Sequence, residues 1–191
     1  MIKLPDGVVI SNLIDDLRIF SWEAADILLF YSKRIKDFKQ KKDIIKDVND
    51  DNPVTLADLK VNELIIKRIK EKYKNVKWDI LSEENFKTKS SHCDTDADWL
   101  WILDPLDGTK DFIQGTQNYA MQLALNYKQE PILGVVLIPE RNELWICYGD
   151  KLFCENREGM RRQINISGKR SLKEMTIVTS KNHRNKILKE L

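Results

Sequence analysis

The sequence predicts an α+β fold, two helices packed on one face of a mainly antiparallel sheet. Two observations carry this reading. The first third of the chain holds two segments with apolar residues at helical spacing. From Trp99 onward, short apolar runs separated by turn residues take over. The chain has 191 residues, which is one sizeable domain and short for two.

The first helix is expected from Val9 to about Ile35, where Ile10, Leu13, Ile14, Leu17, Phe20, Ala24, Ile27, Leu28 and Tyr31 recur on one face. Lys36 to Asp51 is dense in charge and reads as a solvated connection ending at the turn signal Asn52-Pro53. A second helix is expected from Thr55 to about Lys74, burying Leu56, Leu64, Ile65 and Ile69. Trp78 to Ser82 reads as a short strand, and the polar stretch Glu83 to Asp98 as a loop. The continuous apolar run Trp99 to Leu103 reads as a strand buried on both faces. Asn118–Tyr127 and Ile132–Ile138 follow as strands joined through Gln129-Glu130-Pro131. A hairpin is expected from Glu143–Tyr148 and Lys151–Cys154 around Gly149-Asp150. Gln163–Ile166 and Thr176–Thr179 are further short strands, and a last helix is expected from about Asn182.

Composition narrows the function. The 32 Lys and Arg nearly cancel 30 Asp and Glu, leaving +2, so no bulk field favours nucleic acid or a membrane surface. An anionic ligand would need a local site. Apolar stretches are too short to span a bilayer, and Met1–Phe20 lacks a secretory layout. Cys93, Cys147 and Cys154 form neither an even set nor a C-x-x-C pair. The expectation is a cytoplasmic protein with reduced thiols.

The chemistry concentrates in Trp101-Ile-Leu-Asp104-Pro105-Leu106-Asp107-Gly108-Thr109. A buried strand runs into two carboxylates, a cost that a divalent cation would offset. Asp carboxylates and a backbone carbonyl are hard oxygen donors of the kind Mg²⁺ takes. Pro105 fixes the turn so that Asp104, the Leu106 carbonyl and Asp107 can converge, and Gly108 admits a close phosphate. The tripeptide Asp107-Gly108-Thr109 taken alone fits an ordinary helix cap better; the whole nine-residue string favours a site. Upstream, Ser82-Glu83-Glu84 puts two acids at a strand end. Thr55 and Asp58, three apart, fit a capping box, a role compatible with a catalytic one. His92 and His183 sit in no triad context. Three acidic clusters and one hydroxyl, Thr109, are the parts of a multi-metal phosphoryl-transfer site.

In this order, Thr55-Leu56-Ala57-Asp58, Ser82-Glu83-Glu84 and Asp104-Pro105-Leu106-Asp107-Gly108-Thr109 resemble the inositol monophosphatase superfamily, over roughly Leu13 to His183. Leu106, Gly108-Thr109-Lys110-Asp111-Phe112-Ile113, Pro131-Ile132-Leu133-Gly134-Val135-Val136 and Ser180-Lys181-Asn182-His183 look like its CysQ-like 3'(2'),5'-bisphosphate nucleotidase branch. The resemblance implies the N-terminal part of the sugar-phosphatase fold. It implies Glu83, Asp104, the Leu106 carbonyl and Asp107 as Mg²⁺ ligands, with Asp58 and Thr109 as the catalytic pair activating water. Glu83, Asp107, Gly108, Thr109 and Lys110 would contact substrate. The implied reaction is hydrolysis of adenosine 3',5'-bisphosphate (3'-phosphoadenosine 5'-phosphate) to AMP and phosphate by metal-activated water. Li⁺ inhibition and a homodimer are further family expectations.

One departure stands out. The family's W-D-x-A-A-G motif, whose aspartate completes the second metal site, has no counterpart in these 191 residues. The expected organisation is therefore a metal-binding domain over 1–175, with 176–191 beginning a truncated second domain. Two other readings stay open: an inositol or sugar phosphate phosphatase, and a metal-binding remnant without turnover.

Overall fold

The computed structural model describes residues 3–47, 53–88, 97–176 and 178. Asn52, His92, Cys93 and Ser180-Lys181-Asn182-His183 lie outside the described residues, as do half of the expected terminal strand and all of the expected terminal helix.

Helix α1 spans Ile10–Ile35, with Leu13, Leu17, Ala24 and Leu28 fully buried. Helix α3 spans Leu56–Lys72 and buries Ala57, Val61, Ile65 and Ile69. The two are tied by a bidentate ion pair of Arg68 with Glu23 at 2.8 and 2.7 Å. Asp16 adds a second tie, accepting from the Tyr73 hydroxyl at 2.6 Å. Between them lie α2 (Phe38–Ile44) and a small antiparallel pair, β1 (Ile45–Asp47) with β2 (Val54–Thr55). The solvated connection expected here is thus partly folded: Ile44 is 3% exposed, and its burial holds a segment that charge density alone would assign to solvent.

The main sheet has seven strands in sequence order: β3 (Asp79–Ser82), β4 (Trp99–Asp107), β5 (Ala120–Tyr127), β6 (Glu130–Ile138), β7 (Glu143–Tyr148), β8 (Lys151–Glu155) and β9 (Arg161–Gln163). Only β3–β4 is parallel. Short helices α4 (Glu83–Thr88) and α5 (Thr109–Gln114) leave the ends of β3 and β4. The expected loop after Ser82 therefore begins as a helix, where two acids on the first turn complement the N-terminal dipole.

One face of the sheet meets α1 and α3. Trp101, Leu103, Met121, Leu123, Leu125, Leu133, Val135, Leu137, Leu144 and Ile146 alternate onto it and form the core. The reading of β4 as buried on both faces is corrected by its alternation. Trp99, Trp101 and Leu103 are buried, while Ile102 is 39% exposed. A continuous apolar run cannot tell a one-sided strand from a two-sided one, because both faces carry apolar residues.

The β5–β6 turn is shorter than expected. Lys128 and Gln129 both have positive φ (48° and 70°), so strand pairing resumes at Glu130 and includes Pro131. Two positive φ values at the centre of a two-residue loop match the right-handed twist of the flanking strands. A register shift at Leu125/Asn126 accommodates the proline, which has no N–H to offer the ladder. The strand expected at Gln163–Ile166 sits earlier, at Arg161–Gln163, and Ile166 is 90% exposed.

Candidate active site

Asp104 and Asp107 are three residues apart, and a regular strand would point them to opposite faces. The β4–β5 register prevents this. Asp104 pairs with Gln122 and Asp107 with Ala120, three steps on one strand against two on the other. The extra residue makes a β-bulge, visible as two consecutive buried residues, Pro105 and Leu106. The bulge returns Asp107 to the face that carries Asp104. The Asp104 Oδ1 atom then accepts the Leu106 N–H at 3.1 Å, and Asp107 Oδ2 accepts from Gln122 Nε2 at 2.6 Å.

The parallel strand β3 delivers the other acids. Its register sets Ser82 beside Leu103, and the Ser82 hydroxyl donates to Asn62 of α3. Glu83 and Glu84 then diverge, as adjacent helical residues do. Glu83 hydrogen-bonds and repels Asp104, while the buried Glu84 acts on Asp58. Burial, then the charges of Glu83 and Asp107, push the Asp104 carboxyl from its ordinary value up to about 7.

Asp58 enters from the first turn of α3 and is 2% exposed. A capping box fixes it: Thr55 donates to Asp58 Oδ2 from its N–H at 2.9 Å and from its hydroxyl at 2.5 Å. Burial raises the Asp58 carboxyl to about 6, the Thr55 hydrogen bonds oppose this, and the Glu84 charge adds to it. The other oxygen, Oδ1, lies 3.4 Å from the Thr109 hydroxyl, which in turn lies 2.9 Å from the Leu106 carbonyl oxygen. Thr109 thus joins the Asp58 group to the Asp104–Asp107 bulge.

Gly108 makes the turn between β4 and α5 at φ 85°. A Cβ there would stand 2.7 Å from the Asn118 carbonyl oxygen, so glycine is required by both conformation and space. Lys110 is exposed on α5 and takes no part in these contacts.

Asp58, Glu83, Asp104, Leu106, Asp107, Gly108 and Thr109 therefore meet around the end of β4. Sequence reading missed Thr55 as the group orienting Asp58 toward Thr109, and it missed Gln122 altogether. Thr55 was legible as a cap. Gln122 reaches the acids only through cross-strand register, which no local pattern records.

Among the described residues, no three His, Cys, Asp or Glu side chains form a ready-made metal cage. Mg²⁺ does not need one, since it is commonly held by one or two carboxylates and keeps several waters. The carboxylates of Glu83, Asp104 and Asp107 with the Leu106 carbonyl are all hard oxygen donors; burial chiefly, and then the charges of Glu83 and Asp107, raise Asp104, and a dication would offset both.

A sheet backed by two helices, with acids gathered at a bulged strand end beside a glycine turn, defines an α+β domain of the sugar-phosphatase type. Residues 18–190 match the inositol monophosphatase family, and the chain belongs to it. The chain is similar to the bifunctional phosphatase IMPL2 of Arabidopsis thaliana, 38% identical over 112 residues, 58% of this chain and 30% of that protein. It is also similar to the 3'(2'),5'-bisphosphate nucleotidase CysQ of Escherichia coli K12, 30% identical over 159 residues, 82% of this chain and 60% of that one. This chain thus spans well under two thirds of either relative's length. The solved extragenic suppressor protein SuhB of Bartonella henselae shares the fold, with a TM-score of 0.65 and 20% identity over 84% of this chain and 57% of its own. Among the described residues no helix is long and apolar enough to cross a membrane, and Cys147 and Cys154 are free thiols.

Proposed function

We propose that this chain carries the catalytic acids of a Mg²⁺-dependent phosphomonoesterase that hydrolyses adenosine 3',5'-bisphosphate to AMP and phosphate. The observation that carries the reading is the bulge. It turns Asp104 and Asp107 to one face, beside Glu83 and within reach of the Asp58–Thr109 pair. Glu83, Asp104, Asp107 and the Leu106 carbonyl would hold Mg²⁺. When bound, the ion supplies charge neutralisation for the phosphate and a more acidic water.

The remaining roles belong to the chain. The turn at Gly108, packed against the Asn118 carbonyl, would carry Thr109 and Lys110 alongside the phosphate. Asp58 Oδ1 faces the Thr109 hydroxyl, and its raised affinity for a proton suits acceptance from an attacking water through that hydroxyl. Water attacks phosphorus in line, its proton passes to Asp58, the ester oxygen leaves and takes a proton from solvent water, and no phosphoenzyme forms.

The likeness to CysQ supports the bisphosphate nucleotide as substrate. A second reading is metal binding without turnover. Phosphate release from 3'-phosphoadenosine 5'-phosphate and from inositol 1-phosphate, with Mg²⁺ and then with Li⁺ added, separates the cases. The proposal expects Li⁺-sensitive release from the nucleotide. Preference for inositol phosphate would move the assignment to the inositol or sugar phosphate branch. Mg²⁺ binding with no release from either would leave the second reading.

A further inference from the structure

We propose that Gln122 is a positioning residue that sets the orientation of Asp107 for the cation, an inference that rests on the metal site proposed above. Gln122 occupies the middle of β5 on the face opposite the helices. Its cross-strand neighbours on that face are Asp104 on β4 and Val136 on β6, and the residues two along its own strand are Ala120 and Ala124. The alanines and the valine offer no polar partner, and of the two acids the amide reaches the diagonal one, Asp107, whose Oδ2 accepts from Nε2 at 2.6 Å. A carboxylate only accepts, which fixes the amide with its nitrogen toward the acid.

The contact exists because of the bulge. In an unbroken β4, Asp107 would point to the core face and Gln122 would have no acid diagonal to it. With the bulge, Asp107 stands beside Asp104, and the two carboxylates repel one another in the absence of a cation. A donor on Oδ2 holds the carboxylate in one rotamer against that repulsion and leaves Oδ1 for the ion. Partners of this kind, which orient a ligand without touching the metal, commonly matter tenfold or more in affinity. Beside Ile102, Ala124 and Val136 the polar Gln122 has this contact as its structural consequence.

Isothermal calorimetry of Mg²⁺ binding to the full chain tests this with Gln122→Met, Gln122→Asn and Asp107→Asn beside the unaltered protein. Gln122→Met keeps the length of the side chain and removes the donor. Its Mg²⁺ affinity is expected to fall about tenfold, with the urea midpoint of the metal-free chain unchanged. Gln122→Asn keeps the amide on a shorter arm and is expected to lie between the two. Affinity in Gln122→Met within twofold of the unaltered chain, while Asp107→Asn loses binding, would overturn the inference and leave the metal site standing. An unaltered chain that takes up no Mg²⁺ would overturn both.

Discussion

The two faces of the main sheet are built from similar residues and end in different circumstances. The face toward α1 and α3 carries Trp101, Leu123, Leu125, Val135, Leu137 and Ile146, none more than 2% exposed. The opposite face carries Leu100, Ile102, Ala124 and Val136, with Ile102 at 39%. The first face is closed by helices and does nothing but hold the fold. The second runs without interruption into Gln122, Asp104 and Asp107. Stability and chemistry are thus assigned to opposite sides of the same strands, and the β4 bulge is where a strand changes from one duty to the other. Asp58 is the exception: it comes from the helix side and reaches the site by way of Thr109.

Truncation should separate the faces most clearly. Leu125→Ala, at a position with no exposure, is expected to cost about 2–5 kcal/mol in urea denaturation through lost burial and a cavity. A cost below about 1 kcal/mol would mean that the helix face is not the core. Gly108→Ala comes next. Positive φ and the 2.7 Å approach to the Asn118 carbonyl predict a loss of about 1–3 kcal/mol, and any phosphatase activity should go with it. A neutral outcome would show that the turn relaxes and that the bulge is not rigidly set.

Asp104→Asn sharpens the comparison through pH. A carboxyl raised in the fold favours its protonated form, so its contribution to stability is present below about pH 4 and is lost as pH rises through about 7. The metal-free Asp104→Asn chain should therefore match the unaltered chain near pH 4 and exceed it near pH 8. The difference should be on the order of 1 kcal/mol once screening at a half-exposed site is allowed for. Added Mg²⁺ should close that gap in the unaltered chain and not in the variant. The opposite pH trend in paired urea titrations would remove the case for an electrostatically crowded site. The smallest effect belongs to Ile102→Thr, expected to change stability by about 0.5 kcal/mol or less. A core-sized loss there would show that the second face is also packed.

Much of the fold was legible because helices α1 and α3 repeat their apolar residues at helical spacing and the hairpins carry turn residues at fixed offsets. Where reading failed, the deciding interaction was distant in sequence. Ile44 folds into the core from a charged segment, and Glu84 is buried beside Asp58 from a stretch that reads as a polar loop. For the site, residue types and order named Asp58, Glu83, Asp104, Asp107 and Thr109. They could not say that two aspartates of odd spacing would share a face.

By itself the sequence determined the two long helices, the strands between Trp99 and Cys154, the glycine at position 108 and the supply of hard oxygen donors, since all of these follow from local stereochemistry and side-chain chemistry. Only the tertiary structure decided which face of β4 is covered, that Pro105 and Leu106 slip the register by one residue, and that Gln122 lies against Asp107. Pairing register depends on a neighbouring strand, and a shift of one residue reverses the direction of every side chain beyond it.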